Sequence, residues 1–305
     1  MSFNKIPLVS IECLVYNHAP FLRHCLDGFV MQKTDFPFEA IVHDDASTDN
    51  SAEIIREYAE KYPDIIKPIY EMENQYSKKD GSLSRIMNEA MHPKAKYVAL
   101  CEGDDYWTDP LKLQKQVDFM ESNKEYSMCF HRVKIEAEEE FLRHQYDHLQ
   151  GKDYSSNEIL AEWTVPTCSV LLRKEVLRCV PKDSRFLFGD IVCFLSAGEC
   201  GRMYCLSDCM GVYRRLSTGM MMGTLIKDEN TLKWILHYQA IKEHFPKAEK
   251  SAKRLISLKM LQALRLKWKE NKLVAVWYGF SCCYQERWTF FRILLGWFKH
   301  LILQK

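Results

Sequence analysis

The chain has 305 residues, 47% of them hydrophobic and 27% charged, a balance that excludes disordered, collagen-like and low-complexity classes. Its formal net charge of +1 hides a split. Residues 250–305 hold 12 Lys/Arg against two Asp/Glu and residues 1–249 hold 30 against 39, so an acidic body of −9 carries a basic tail of +10.

Leu8–Val15 is a short apolar run and reads as a buried strand. Pro20 opens a helix over Phe21–Gln32. Phe38–His43 is a second strand, and Asp49 or Ser51 caps a helix over Ala52–Tyr62, whose apolar positions share one face. Ile65–Tyr70 is a weaker strand, Ser82–Met91 a helix, and Tyr97–Cys101 a further buried strand. Asp109-Pro110 starts a helix that runs to about Ser122. After Met128–Ile135 the pattern loosens. Glu136–Glu140 reads as a solvated acidic face, Thr167–Leu172 as a strand, and Phe188-Gly189-Asp190 as the opening of a helix over Ile191–Ala197. Met203–Leu206 and Met210–Arg214 read as two short strands, and from Leu225 onward the pattern is helical.

Strands alternating with helices predict an α/β fold with a mostly parallel sheet. Ligands bind beyond the carboxyl ends of such strands. That rule selects Tyr16-Asn17-His18, Asp44-Asp45 and Glu102-Gly103-Asp104-Asp105. Three carboxylates in four residues are costly to ionise together unless a cation lies among them. A hard divalent ion with oxygen ligands answers that cost; a solvated turn, with Asp109 capping the next helix, is the other reading. Asp44–Asp49 likewise either lines a ligand or serves as Asx turns and a helix cap.

In fixed order, VSIECLVYN (9–17), IVHDDASTDNS (41–51), Asn88, YVALCEGDD (97–105) and YWTDP (106–110) with the KLQKQ that follows resemble the family 2 glycosyltransferases, over roughly residues 7–217. The resemblance implies a GT-A type fold, a nucleotide-sugar donor and inversion at the anomeric carbon. On that basis Tyr16, Asn17 and Asp44 line a nucleoside pocket, and Asp45 supports the turn. Asn88 stands 14 residues before Glu102, where the family commonly has an Asn. Glu102-Gly103-Asp104 matches a D-x-D motif with Glu in the first place. Asp104, with Glu102, is expected to hold Mn²⁺ or Mg²⁺, Glu102 also facing the ribose or donor sugar. Asp105 lies behind them or on the sugar. Asp190, 86 residues after Asp104, falls where the family places its general base, or it caps the helix at Ile191. Tyr213 and Arg214 match a late Y-R-x-H segment, but Leu216 replaces the His. Arg214 or Arg215 is then the expected charge partner of the diphosphate, because guanidinium suits phosphate oxygens. Trp107 either walls the sugar site or packs under the acidic turn. Trp163–Ser169 either shapes an acceptor pocket or is a core strand with a turn.

The expected organisation is a catalytic domain over residues 1–224 and a helical region over 225–305. Arg287–Gln304 sets Arg292, Lys299 and His300 on one helical stripe, with Trp288, Phe291, Trp297 and Phe298 elsewhere. Such a helix suits a membrane interface, each basic side chain near anionic headgroups contributing roughly 1 kcal/mol; docking on the catalytic domain is the alternative. The start MSFNKIPLVS lacks the pattern of a secretory signal. No segment reaches the ~18 apolar residues of a spanning helix, and the 12 cysteines read as reduced thiols. Cys193, Cys200, Cys205 and Cys209 lack the paired spacing of a zinc site. The expectation is a cytoplasmic enzyme, peripheral on the membrane, taking a saccharide or lipid-linked saccharide as acceptor. No nucleic-acid partner is expected from an acidic body without a recognisable module. A sugar nucleotidyltransferase would need a Gly-rich phosphate loop after the first strand, where Tyr-Asn-His-Ala-Pro stands instead. A non-catalytic nucleotide-sugar-binding protein is the remaining alternative.

Overall fold

The computed structural model describes residues 6–137, 140, 143–215 and 231–270, without the side chains of 266–270. In chain order the elements are β1 (Val9–Val15), α1 (Ala19–Val30), β2 (Phe38–Asp44), α2 (Ser51–Lys61), β3 (Ile66–Tyr70), α3 (Gln75–Lys78), α4 (Ser82–Ala90), β4 (Tyr97–Leu100) and β5 (Tyr106–Trp107). There follow α5 (Lys112–Ser122), β6 (Tyr126–Ala137), β7 (Lys152–Asp153), α6 (Ser156–Glu162), β8 (Leu171–Arg173), α7 (Gly189–Cys200), β9 (Arg202–Arg215), α8 (Thr231–His244) and α9 (Glu249–Glu270).

The described strands form one mixed sheet in the order β3-β2-β1-β4-β8-β6-β9-β5, with β7 also beside β9. β3, β2, β1 and β4 are parallel. β8 runs against both β4 and β6, and β9 runs with β6. The central strand β1 turns one fully buried face to the core, with Val9, Ile11, Cys13 and Val15 at most 1% exposed; on its other face Ser10 is buried and Glu12 and Leu14 are half-buried. α1 begins with proline in its first turn and buries Leu22, Cys25, Leu26 and Phe29 at helical spacing.

Three sequence readings need correction. Thr167–Ser169 is a single 3₁₀ turn and the strand starts at Leu171, because Ser169 Oγ donates to the Pro166 carbonyl (2.6 Å) and Val170 N–H to Thr167 (3.2 Å). Met203–Leu206 and Met210–Arg214 are parts of one strand, β9. His131 pairs with Leu206 and Arg132 with Cys209, so Ser207 and Asp208 bulge out of a continuing ladder. Glu136 is more than a solvated charge: it lies on β6 and accepts hydrogen bonds from Tyr106 and Arg214.

The chain divides into two compact units: Met1–Tyr154 with Val165–Cys179 and Cys200–Leu216, and Ser155–Thr164 with Val180–Glu199 and Ser217–Lys305. The first holds the sheet. In the second, α6 starts on a capping box between Ser155 and Glu158. The side chain of its Asn157 accepts from Ser251 N–H (2.8 Å) and its carbonyl from Ser251 Oγ (2.7 Å), which joins α6 to α9. The helical C-terminal region is thus present as α8 and α9. Leu216 and the tail helix expected over 287–304 lie outside the described residues. No described helix is long and apolar enough to cross a membrane.

Candidate active site

Strand register gathers three of the predicted segments at one edge of the sheet. Val15, the last residue of β1, pairs with Asp44, the last of β2. On the other side of β1, Cys101 N–H donates to Glu12 O (3.0 Å) and Gly103 N–H to Leu14 O (2.9 Å), which carries the acidic turn after β4 up beside Val15. Loops that end neighbouring parallel strands together form the ligand crevice of this sheet class.

The turn after β2 is held largely by its own carboxylates. Asp45 accepts from Gln75 N–H (2.6 Å) and Tyr76 N–H (3.0 Å), so both its oxygens serve the start of α3. Asp49 accepts from Ala19 N–H (3.0 Å) and Ser51 N–H (2.9 Å), joining the starts of α1 and α2. Partial burial pushes the Asp49 carboxyl up, but hydrogen bonds from Ser51 and Ala19 outweigh it and hold it below the usual range. Asn17 sits in the left-handed region (φ 55°), a conformation Asn tolerates. Its Oδ1 accepts from Thr48 N–H (2.8 Å) and its own N–H donates to Ser47 Oγ (2.9 Å), which ties the first loop to the second. Tyr16 is 48% exposed beside it. Asp44 differs from its neighbours: it is buried, one oxygen accepts from Ser47 N–H (3.3 Å), and Oδ1 has no hydrogen-bond partner.

The turn after β4 is packed around glycine. A Cβ on Gly103 would lie 2.8 Å from His18 Nδ1 and 2.9 Å from Val15 Cγ2, so only glycine lets the turn approach α1 this closely. Glu102 is exposed, Asp104 half-buried and Asp105 buried. Asp105 Oδ1 accepts from Arg214 N–H (2.7 Å). Burial, reinforced by the neighbouring Asp104 charge, pushes the Asp105 carboxyl well above the usual carboxylate range. Asp104 Oδ1 and Asp105 Oδ2 are buried without hydrogen-bond partners. Orphaned carboxylate oxygens beside an exposed glutamate fit a hard cation of the Mn²⁺ or Mg²⁺ type. Among the described residues no three His, Cys, Asp or Glu side chains form a ready cage. A cation here would therefore complete its shell from phosphate and water, as Mg²⁺ commonly does.

Arg214 is committed within the protein. Its side chain is only 8% exposed. Nε donates to Glu136 (2.9 Å) and Nη1 to the Asp104 carbonyl (2.8 Å), and the guanidinium lies 4.4 Å over the Tyr106 ring. Arg215 donates from Nη2 to Gln145 and has a buried Nε with no hydrogen-bond partner. Tyr213 meets Tyr146 edge-on at 5.8 Å, and burial, with Tyr146 and Asp105 nearby, raises its phenol well above the ordinary range. Trp107 packs rather than walling a sugar site: it is 2% exposed, donates from Nε1 to the Cys168 carbonyl (2.7 Å), and carries the buried Lys112 ammonium 3.7 Å above its ring. Burial pulls Lys112 down to about 7. The sequence holds no signal for this lysine's burial. Asn88 is exposed on α4.

Asp190 belongs to the second unit and opens α7. It is half-buried, lies in the first turn of α7 and accepts from Ile191 N–H (2.7 Å). Burial raises its carboxyl above the usual range and the Ile191 hydrogen bond opposes that rise. A raised carboxyl pKa suits proton transfer near neutrality better than an ordinary one.

The mixed sheet, with its parallel half and two acidic strand-end turns, has the architecture of a GT-A type fold. The family model for glycosyl transferase family 2 matches residues 10–180, and the chain belongs to that family. It is 36% identical over 214 residues to the uncharacterized protein Rv1520 of Mycobacterium tuberculosis, covering 70% of this chain and 60% of that protein; the match thus spans under two thirds of that relative's length. It is 24% identical over 247 residues to the putative teichuronic acid biosynthesis glycosyltransferase TuaG of Bacillus subtilis, covering 80% of this chain and 93% of TuaG. Among solved structures, S. aureus TarS 1–349 in complex with UDP-GlcNAc superposes with a TM-score of 0.61 at 16% identity, over 86% of this chain and 74% of that one. The mannosyltransferase PcManGT of Pyrobaculum calidifontis, in complex with GDP-Man and Mn²⁺, gives 0.56 at 18% identity, over 93% and 83%. These likenesses establish the GT-A fold.

Proposed function

We propose that the protein is an inverting glycosyltransferase. It moves a sugar from a nucleotide-diphosphate donor, a UDP-sugar in our reading, to a saccharide or lipid-linked saccharide during surface polysaccharide synthesis. The observation that carries this is the pair of acidic turns flanking β1, both keeping buried carboxylate oxygens without a hydrogen-bond partner: Asp44 Oδ1 in one, Asp104 Oδ1 and Asp105 Oδ2 in the other. Family membership supports the reaction class. TarS, with UDP-GlcNAc, supports the donor class, and the name of TuaG supports the polymer.

In this reading Asp44 Oδ1 accepts an N–H of the base, and Tyr16 and Asn17 border the nucleoside. Asp45 and Asp49 keep the loops in place. Asp104 and Glu102 hold the divalent cation together with the donor phosphates, Asp105 buttresses them through Arg214, and Asn88 lies toward the donor end. When bound, that cation offsets the charge developing on the diphosphate. Arg214 is occupied by Glu136 and the Asp104 carbonyl, so Arg215 is the better assigned phosphate contact. Asp190 takes the proton from the acceptor hydroxyl as its oxygen bonds to the anomeric carbon. The bond from that carbon to the diphosphate oxygen breaks on the opposite face, which inverts configuration. The basic amphipathic segment Arg287–Gln304 is assigned to the cytoplasmic membrane surface. Its test is vesicle co-sedimentation with anionic lipid, comparing the full chain with one ending near Asn271; equal binding sinks it.

The reaction is tested by donor turnover with Mn²⁺ or Mg²⁺ over a panel of UDP- and GDP-sugars, comparing wild type with Asp104→Ala and Asp190→Asn. Both variants should lose transfer. Variants as active as wild type would refute the site. Donor binding with no turnover on any acceptor would favour a non-catalytic binding protein.

A further inference from the structure

His237 is a buried titratable group that the proposed reaction does not use. It lies on α8 and is 0% exposed. Its ring takes up three consecutive residues of the loop that leads into α7. Leu187 N–H donates to Nδ1 (3.2 Å), and Phe186 and Phe188 meet the ring edge-on at 6.2 Å and 6.0 Å. Farther back along the loop, Arg185 pairs with Asp183 (2.6 Å) and with Glu243 of α8 (2.5 Å), and His244 of α8 pairs with Asp183 (3.1 Å). The loop is therefore fastened to α8 at two levels, and His237 is the fastening nearer Asp190.

Histidine is a costly residue to bury at this place. Its Nε2 is buried with no hydrogen-bond partner, and an unmet polar atom in a dry interior lowers stability. A phenylalanine would fill comparable space and leave no such atom. What the imidazole supplies is an acceptor at Nδ1 for a backbone N–H that lies outside helix and strand. Burial pulls His237 down to about 4, so near neutral pH the ring is uncharged and Nδ1 keeps its lone pair.

Only Phe188 and Gly189 separate the held Leu187 from Asp190. A Cβ built on Gly189, the first residue of α7, has no neighbour within 4 Å. No side chain at that position braces the backbone, so the entry to α7 depends on the fastening just before it. We infer that His237 is a positioning residue: by holding Leu187 N–H it fixes the backbone that presents the Asp190 carboxylate to the acceptor hydroxyl. The inference rests on the reading of Asp190 as the base and goes beyond it by naming the group that aims it.

The test compares full-length wild type with His237→Phe, His237→Asn, Asp190→Asn and the double variant His237→Phe/Asp190→Asn. Melting temperature and binding of UDP with Mn²⁺ serve as checks that each is folded; should phenylalanine not be accommodated, His237→Leu takes its place. His237→Phe should lower kcat for transfer roughly tenfold to a hundredfold, the scale of a misplacement of about 1 Å, with the donor KM unchanged. His237→Asn sets Oδ1 close to the position of Nδ1 and should recover most of that loss. In the Asp190→Asn background, His237→Phe should lower kcat no further, because a group that acts through Asp190 has nothing left to aim. Hydrogen exchange gives a readout apart from turnover: the Leu187 amide and the first amides of α7 should exchange about tenfold faster in His237→Phe than in wild type or His237→Asn. A folded His237→Phe with wild-type kcat, a His237→Asn as impaired as His237→Phe, or a fully additive loss in the double variant would overturn the inference. Asp190→Asn separates the two readings. If it transfers like wild type, the base assignment fails and the inference with it. If it loses transfer while folded His237→Phe keeps it, the inference alone fails.

Discussion

The two acidic turns have similar composition and opposite electrostatics. After β2, Asp45 and Asp49 give their oxygens to backbone N–H groups of neighbouring helices, and Asp49 is held below the ordinary carboxylate range. After β4, the turn is packed against α1 through Gly103, and Asp105 is pushed above that range. One turn stabilises ionised carboxylates with amides. The other crowds carboxylates together and leaves two of their buried oxygens without a hydrogen-bond partner. An acidic cluster therefore signals a ligand only through the oxygens that protein groups do not already occupy, here Asp44 Oδ1, Asp104 Oδ1 and Asp105 Oδ2.

The largest effect that sharpens this contrast is on activity. Asp104→Ala should lower transfer by roughly 10²–10³-fold, the scale of losing one preorganised electrostatic group, with little change in melting temperature; Asp45→Ala should lower it far less. Second, Arg214→Ala should destabilise by about 2–3 kcal/mol in urea unfolding. It removes the part-buried hydrogen bond to the Asp104 carbonyl, the ion pair with the half-exposed Glu136 and the contact with the Tyr106 ring. A loss near zero would mean the second turn holds itself. Third, Gly103→Ala should cost about 1–3 kcal/mol through overpacking against His18 and Val15, measured the same way.

The fourth and smallest effect is a difference of sign with pH. Asp49 has a lowered folded pKa, so its contribution is present above the usual carboxylate range and is lost as pH falls through that lowered value. Asp49→Ala should cost about 1 kcal/mol at pH 7 and progressively less in acid. Asp105 has a raised folded pKa, so the folded state holds its proton longer than the unfolded chain, and stability falls as pH rises through that window. Asp105→Asn, which keeps an oxygen for Arg214 N–H, should flatten that fall in melting curves recorded with a chelator between pH 4 and 8. Parallel curves for the two variants would break the contrast.

Much of the first unit is legible in the sequence because its signals are local. Apolar runs such as Val9–Val15 and Tyr97–Leu100 mark largely buried strands, and each ends abruptly at polar turn residues. What was not legible depends on long-range packing. The bulge at Ser207-Asp208 mimics a strand break but is absorbed by its partner β6. Arg214 reads as a phosphate ligand, yet its fate is set by Glu136, 78 residues earlier. For Trp107 the sequence leaves a sugar wall and packing under the acidic turn both open, and the Cys168 carbonyl and the Lys112 ammonium decide for packing.

The most direct measurement is calorimetric titration of UDP into wild type, Asp44→Ala and Asp104→Ala, each with Mn²⁺ and with chelator. Wild type should bind more tightly with Mn²⁺ by about tenfold or more, a coupling of about 1.4 kcal/mol. Asp104→Ala should lose that enhancement but keep the metal-free affinity, and Asp44→Ala should lose affinity in both conditions. Wild-type binding that ignores Mn²⁺, or an enhancement that survives in Asp104→Ala, would contradict the division of labour between the two turns.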